Sequence, residues 1–135
     1  MQSISPEIIF RGKGAWIESL PQITKLTKRP LVLGRSTTTN YLRNKIYSDL
    51  VDNNLNVYTA NLLFDCCNED LSRLKKIILK NRCDSIIAAG GGKVLDAGKY
   101  LADCFSLPCI TVPLSASTCA GWTALSNIYT DKGQF

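Results

Sequence analysis

A run of strand-forming residues, Ser85-Ile86-Ile87-Ala88-Ala89, passes through three consecutive glycines, Gly90 to Gly92, straight into a segment of helical period. That order constrains the chain more than any other feature. The apolar run predicts a buried strand, and beyond the glycines Val94, Leu95, Gly98, Leu101, Ala102 and Phe105 recur every three or four residues while Lys99 and Asp103 fall elsewhere. The spacing predicts a helix over Lys93–Phe105 that packs on a sheet. Glycines at such a junction let the backbone take positive φ and approach a ligand, and the helix start offers N–H groups and a positive dipole end. A diphosphate suits that arrangement. Lys93 adds a charge at the helix mouth, and Asp96, one turn on, can fix the loop or a neighbouring hydroxyl. A tight turn alone accounts for one glycine and not for three. Neither G-x-G-x-x-G nor the Walker sequence is present, and the glycines follow the fourth candidate strand.

The remaining chain repeats the alternation of short apolar runs and helical segments that marks a parallel sheet with helices on both faces. The candidate strands are Ile8–Phe10, Pro30–Gly34, Leu55–Thr59, Ser85–Ala89 and Cys109–Pro113. Candidate helices cover Ala15–Thr27, weakened at Pro21 so that it starts late or kinks, then Thr38–Val51 and Glu69–Asn81, with Asn68 as cap and Glu69 and Asp70 at the positive end. From Ser115 to Thr123 small and hydroxyl residues predict a ligand-facing loop. Asn127–Thr130 reads as a strand turned into a hairpin by Asp131, Lys132 and Gly133, which the chain end interrupts. The expectation is therefore one α/β domain, 1–135, that is a fragment.

Composition narrows the function. With 135 residues, 45% of them apolar, one real core is within reach. Met1 to Phe10 lack the basic and apolar regions of a signal peptide, and no run approaches a membrane span. A soluble, cytoplasmic protein is expected. Six cysteines include the adjacent Cys66 and Cys67, while Cys83, Cys104, Cys109 and Cys119 lie in apolar or small-residue stretches, so reduced, buried thiols are expected rather than a disulfide framework. There is no histidine and no C-x-x-C pair, which argues against a zinc site built within these residues. The net charge of +5 gathers at Lys25, Lys28 and Arg29 and at Arg73, Lys75, Lys76, Lys80 and Arg82. The second set shares its helix with Glu69 and Asp70, so a solvated face is expected and no nucleic-acid partner.

Gly90-Gly91-Gly92-Lys93-Val94-Leu95-Asp96-Ala97-Gly98-Lys99, then Val112 to Ala120 and Ala124 to Tyr129, resemble the iron-containing alcohol dehydrogenase superfamily, in its glycerol dehydrogenase branch. The resemblance implies a Rossmann-like domain that binds NAD or NADP, with a helical domain elsewhere supplying the ligands of a divalent metal, zinc or iron. It implies an alcohol or polyol as the small-molecule substrate, leaves a homo-oligomer open, and makes this piece inactive alone. By position Gly91, Gly92 and Lys93 would meet the pyrophosphate and Asp96 would fill its slot in the motif. Thr118, Thr123, Leu125 and Tyr129 would line the cofactor.

Three positions depart from that pattern. Cys119 occupies the substrate position where glycerol dehydrogenases carry an aspartate, and a thiol is a weak donor that cannot replace a carboxylate. Leu114 stands where a cofactor-contacting threonine is usual. After the second candidate strand, where an acid often accepts from the adenosine ribose, the chain has Arg35 flanked by Ser36 and Thr37, a setting that leans towards a 2'-phosphate and NADP. Two alternatives stand beside the dehydrogenase: a glycerol-1-phosphate dehydrogenase-like enzyme and a dinucleotide-binding module without catalysis.

Overall fold

A computed structural model describes residues 6–35, 37–64 and 67–114. Helix α1, Ala15–Leu26, leads into strand β1, Pro30–Gly34, and a single 3-10 turn at Thr37–Thr39 precedes α2, Asn40–Asp52. Then come β2, Tyr58–Asn61, α3, Asn68–Asn81, β3, Ser85–Gly90, α4, Gly92–Cys104, and β4, Cys109–Pro113. The four strands form one parallel sheet in the order β2-β1-β3-β4.

Strand periodicity sorts side chains to the two faces. Leu31 and Leu33 of β1, with Ile86 and Ala88 of β3, pack under α3 and α4 against Leu71, Leu74, Leu95 and Leu101. Their neighbours Val32, Ile87 and Ala89 turn the other way onto Leu20 and Ile23 of α1 and Ile46 and Leu50 of α2. The central strands are apolar on both faces because both are covered. The helix after the glycines lies closest to the sheet: a β-carbon added to Gly98 would stand 2.5 Å from that of Ala88. This Rossmann-like α/β architecture is the one expected from the alternation.

Several local expectations are corrected. Ile8–Phe10 is irregular and exposed, since an apolar triplet gains nothing as a strand without a neighbouring ladder. The third expected strand begins later, at Tyr58, because Leu55 instead closes α2 through a hydrogen bond from its N–H to the Leu50 carbonyl at 3.2 Å. Helix α1 starts at Ala15 and runs through Pro21, held by buried Leu20 and Ile23. Asn68 is the first residue of α3, not its cap, and Cys67 precedes it without a side-chain capping bond. Asp70 does more than favour the dipole: buried, it accepts from the N–H groups of Leu63 at 2.8 Å and Phe64 at 3.1 Å and from Arg73 at 2.6 Å. Those bonds tie the loop after β2 to the first turn of α3.

Candidate functional site

The sheet order creates a crevice. From β1 the chain moves outward through α2 to β2, then returns past β1 to β3, so the helices after β1 and β3 lie on opposite faces. The loops leaving the carboxyl ends of these adjacent strands diverge, and ligands of open α/β sheets bind at such a point. A cleft of about 420 Å³ opens there, a volume in the ordinary range for small-molecule sites. One wall is Gly90, Gly91, Gly92, Lys93 and Val94; Arg35, Thr38 and Thr39 form the other, and Leu114 joins them.

The glycine wall is built by space rather than by unusual dihedrals. Gly91 precedes α4 in an extended conformation, φ −85° and ψ −171°, and the described glycines with positive φ are Gly12 and Gly14. The expectation of positive φ in this loop is therefore corrected. What Gly90 supplies is clearance, since a β-carbon there would come within 3.1 Å of the Val94 side chain. The first α-helical bond runs from the Leu95 N–H to the Gly91 carbonyl at 3.1 Å, which leaves the amides of Gly92, Lys93 and Val94 above the intrahelical ladder. The N–H of Leu114 donates to the Gly90 carbonyl at 3.0 Å, bringing the end of β4 to the cleft.

Charge on the walls has one sign. Arg35 and Lys93 line the cleft, and no Asp or Glu does among the described residues. Behind the wall opposite the glycines lies Arg43 of α2, only 7% exposed, whose Nη1 donates to the Thr39 hydroxyl at 2.6 Å. Its guanidinium fills the space a side chain at Gly34 would take, 2.0 Å from the position of that missing β-carbon. Burial pushes the Arg43 guanidinium below its ordinary pKa. Asp96 sits inside α4, off the cleft wall, in an ion pair with Lys99 at 3.3 Å.

Of the residues singled out in the sequence, the structure thus gathers Arg35, Gly91, Gly92 and Lys93 around one cleft, with Asp96 a turn away. Thr118, Cys119, Thr123, Leu125 and Tyr129 lie outside the described residues, as do Ser36 and the Asn127–Thr130 strand. Sequence reasoning missed Thr38, Thr39 and Arg43. The hydroxyl run after Gly34 was visible, but the buried arginine announces itself only in three dimensions.

Other candidate features resolve into structure. Arg29 donates to the Asn81 carbonyl at 2.8 Å and stacks over Tyr58, and Arg73 pairs with Asp70, so two members of the basic clusters hold the fold. Cys67 and Cys83 are buried, whereas Cys104 is exposed at the end of α4, contrary to the expected burial. Burial pushes the Cys109 thiol up to about 12, against the lowering effect of Lys99. A thiol so shifted is inert at neutral pH. Among the described residues no three metal-binding side chains come together, and no helix is long and apolar enough to cross a membrane.

Comparison with known proteins agrees with the fold. A glycerol dehydrogenase of Escherichia coli is 32% identical over 134 residues, covering 94% of this chain and 36% of that protein. Hydroxycarboxylate dehydrogenase A of Escherichia coli is 51% identical over 49 residues, which are 36% of this chain and 14% of that protein. The crystal structure of glycerol dehydrogenase from Schizosaccharomyces pombe superposes with a TM-score of 0.85 at 32% identity, over 98% of this chain and 34% of that one. The chain spans about a third of the length of the relatives it matches along its whole length. The profile described as iron-containing alcohol dehydrogenase matches residues 6–134, and the chain belongs to that family.

Proposed function

We propose that residues 1–135 are the dinucleotide-binding domain of an NAD(P)-dependent dehydrogenase of alcohols or polyols. The observation that carries the proposal is the cleft at the crossover between β1 and β3, where three first-turn amides of α4 and Lys93 face a second basic wall. Amides at a helix start suit a diphosphate, and the glycines keep side chains out of its way. Gly91, Gly92 and Lys93 hold the pyrophosphate, Arg35 meets the adenosine ribose, and Asp96 fixes Lys99 and the first turn from within the helix. When bound, the nicotinamide accepts a hydride from the alcohol carbon. Thr118, Thr123, Leu125 and Tyr129 complete the cofactor's surroundings and Cys119 meets the substrate.

The divalent metal of this reading does not fit the described residues, which offer no ligand cluster, and the chain has no histidine. In this reading its ligands would come from residues other than these. The domain alone therefore turns over no alcohol, with or without added zinc or iron. The substrate has a second reading, a hydroxycarboxylate. It is favoured by Cys119, which removes a carboxylate that would repel an anionic substrate, and by the 51% identity to hydroxycarboxylate dehydrogenase A. Turnover of 2-hydroxy acids against glycerol by the longer protein decides between them.

Calorimetric titration with NAD and NADP tests the core of the proposal. Binding of either, weakened about tenfold by Lys93→Ala through loss of one charge-assisted contact, is expected. No heat with both nucleotides overturns it.

A further inference from the structure

We infer that the outer edge of β2 is a docking surface for a second copy of this chain, the two β2 strands pairing antiparallel about a two-fold axis at Thr59 and joining two four-stranded sheets into one. The inference stands apart from the dinucleotide reading, since β2 lies across β1 from β3.

Strand β2 ends the sheet on that side, with β1 as its neighbour. The N–H of Asn56 donates to the Lys28 carbonyl at 2.9 Å and that of Leu62 to the Gly34 carbonyl at 2.8 Å, so even-numbered residues turn their backbone groups towards β1. Val57, Thr59 and Asn61 turn theirs outward. Among the described residues the partner those groups find is Arg73, whose Nη2 donates to the Asn61 carbonyl at 2.5 Å. Sheets ordinarily guard such an edge with a lysine, a proline, a bulge or a covering element. From Leu55 to Phe64 the chain has no charged residue and no proline, and the side chains of Thr59 and Asn61 are exposed.

The edge is complementary to itself. Thr59 is the middle one of the three outward residues, so an antiparallel copy sets Thr59 against Thr59 and Val57 against Asn61, each pair exchanging N–H to carbonyl bonds in both directions. The Asn61 carbonyl can accept a second bond beside that from Arg73. Threonines facing each other across the axis form a favourable cross-strand pair. An axis perpendicular to the sheet keeps like faces together and reverses the elements around it. The exposed Leu63 and Phe64, whose N–H groups Asp70 holds in place, come to the end of the partner strand where exposed Val51 accepts from the Asn54 N–H at 2.9 Å. The end of α3 with Glu69 and Asp70 comes to the side of the end with Lys80. Apolar groups are covered and opposite charges meet, a match that an unrelated strand has no reason to supply. The two-fold axis also closes the assembly at two copies.

Sedimentation equilibrium of this chain from about 1 to 100 µM, with hydrogen exchange at both limits, tests the inference. The mass should rise to that of a dimer, and the Thr59 amide should exchange about fivefold more slowly at the upper limit while the Leu62 amide, already bonded to Gly34, changes little. Thr59→Pro removes the central outward N–H, a change an edge strand tolerates, and should weaken the dimer at least about tenfold. Thr59→Lys keeps the backbone intact, sets like charges against each other with the same expected effect, and serves if Thr59→Pro does not fold. Thr59→Val should still dimerise. A chain that stays monomeric overturns the inference, even if a valine- and threonine-rich peptide slows the Thr59 amide, because the edge then serves a foreign strand. A dimer that survives Thr59→Lys, or whose Thr59 amide is indifferent to concentration, uses another surface and overturns it too. So does association that continues past two copies.

Discussion

Asp84 lies between α3 and β3, and its carboxylate collects hydrogen bonds from the turn that enters β1: the Thr27 hydroxyl and the N–H groups of Lys28 at 2.9 Å and Arg29 at 3.0 Å. Ser85 extends the cluster by donating to the Thr27 oxygen at 2.7 Å. Partial burial pushes the Asp84 carboxyl up, but the bonds from Thr27, Lys28 and Arg29 outweigh it and hold its pKa below the ordinary value. A carboxyl lowered on folding contributes stability above its unfolded pKa and loses it as pH falls through the folded one. Asp84→Asn should therefore cost about 1 kcal/mol at pH 7, a figure at the low end for charged hydrogen bonds because the group is only partly buried. Urea melts should show the difference from the unaltered protein shrinking below about pH 4, where the unfolded carboxyl takes up its proton. A gap that stays constant down to pH 3 would contradict the assignment. This cluster clamps the amino ends of β1 and β3, opposite the cleft, and so divides the sheet into a structural edge and a binding edge.

Helix ends show why element boundaries are harder to read than elements. Helix α3 closes with Arg82 in the left-handed region, φ 52°, its N–H and that of Cys83 returning to the carbonyls of Leu79 and Ile78. Glycine is the usual residue at such a position, and arginine there carries backbone strain. Because the Arg82 side chain is exposed, Arg82→Gly should stabilise the protein by about 0.5–1 kcal/mol, read as a higher urea midpoint with unchanged slope. A lower midpoint would show that the arginine side chain holds the turn. Where proline or glycine punctuates, the sequence sufficed: β1 and β4 occur at Pro30–Gly34 and Cys109–Pro113 as expected. Where a buried residue serves a helix end rather than a strand, as Leu55 does, apolar pattern misled by three residues. The glycine wall was legible because it is contiguous in sequence. The facing wall is as local in sequence, Arg35 to Arg43, but hydroxyls and an arginine at a helix start carry no contiguous motif, and only the paired strands bring them opposite the glycines.

At the scale of the molecule, the crossover couples ligand to fold. The two walls hang from β1 and β3, which pair in register from Pro30 with Ser85 to Leu33 with Ala88, and the helices behind them sit on opposite faces. A ligand bridging the walls therefore links the two halves of the core across the sheet. Any ligand that binds only the folded state stabilises it by mass action, about 1.4 kcal/mol at ten times its Kd. For a chain of this size that corresponds to a rise in Tm of roughly 5 °C. The cleft's cations are Arg35 and Lys93 with Arg43 behind, so the rise should be screened by salt, falling as sodium chloride increases from about 0.05 to 0.5 M and the Debye length shortens. Lys76→Ala, on α3 away from the cleft, should leave both the rise and its salt dependence unchanged, whereas Lys93→Ala should diminish both. A ligand-induced rise indifferent to salt and to Lys93 would place the nucleotide somewhere other than the crossover, because apolar or neutral contacts elsewhere on the surface would not respond to either change.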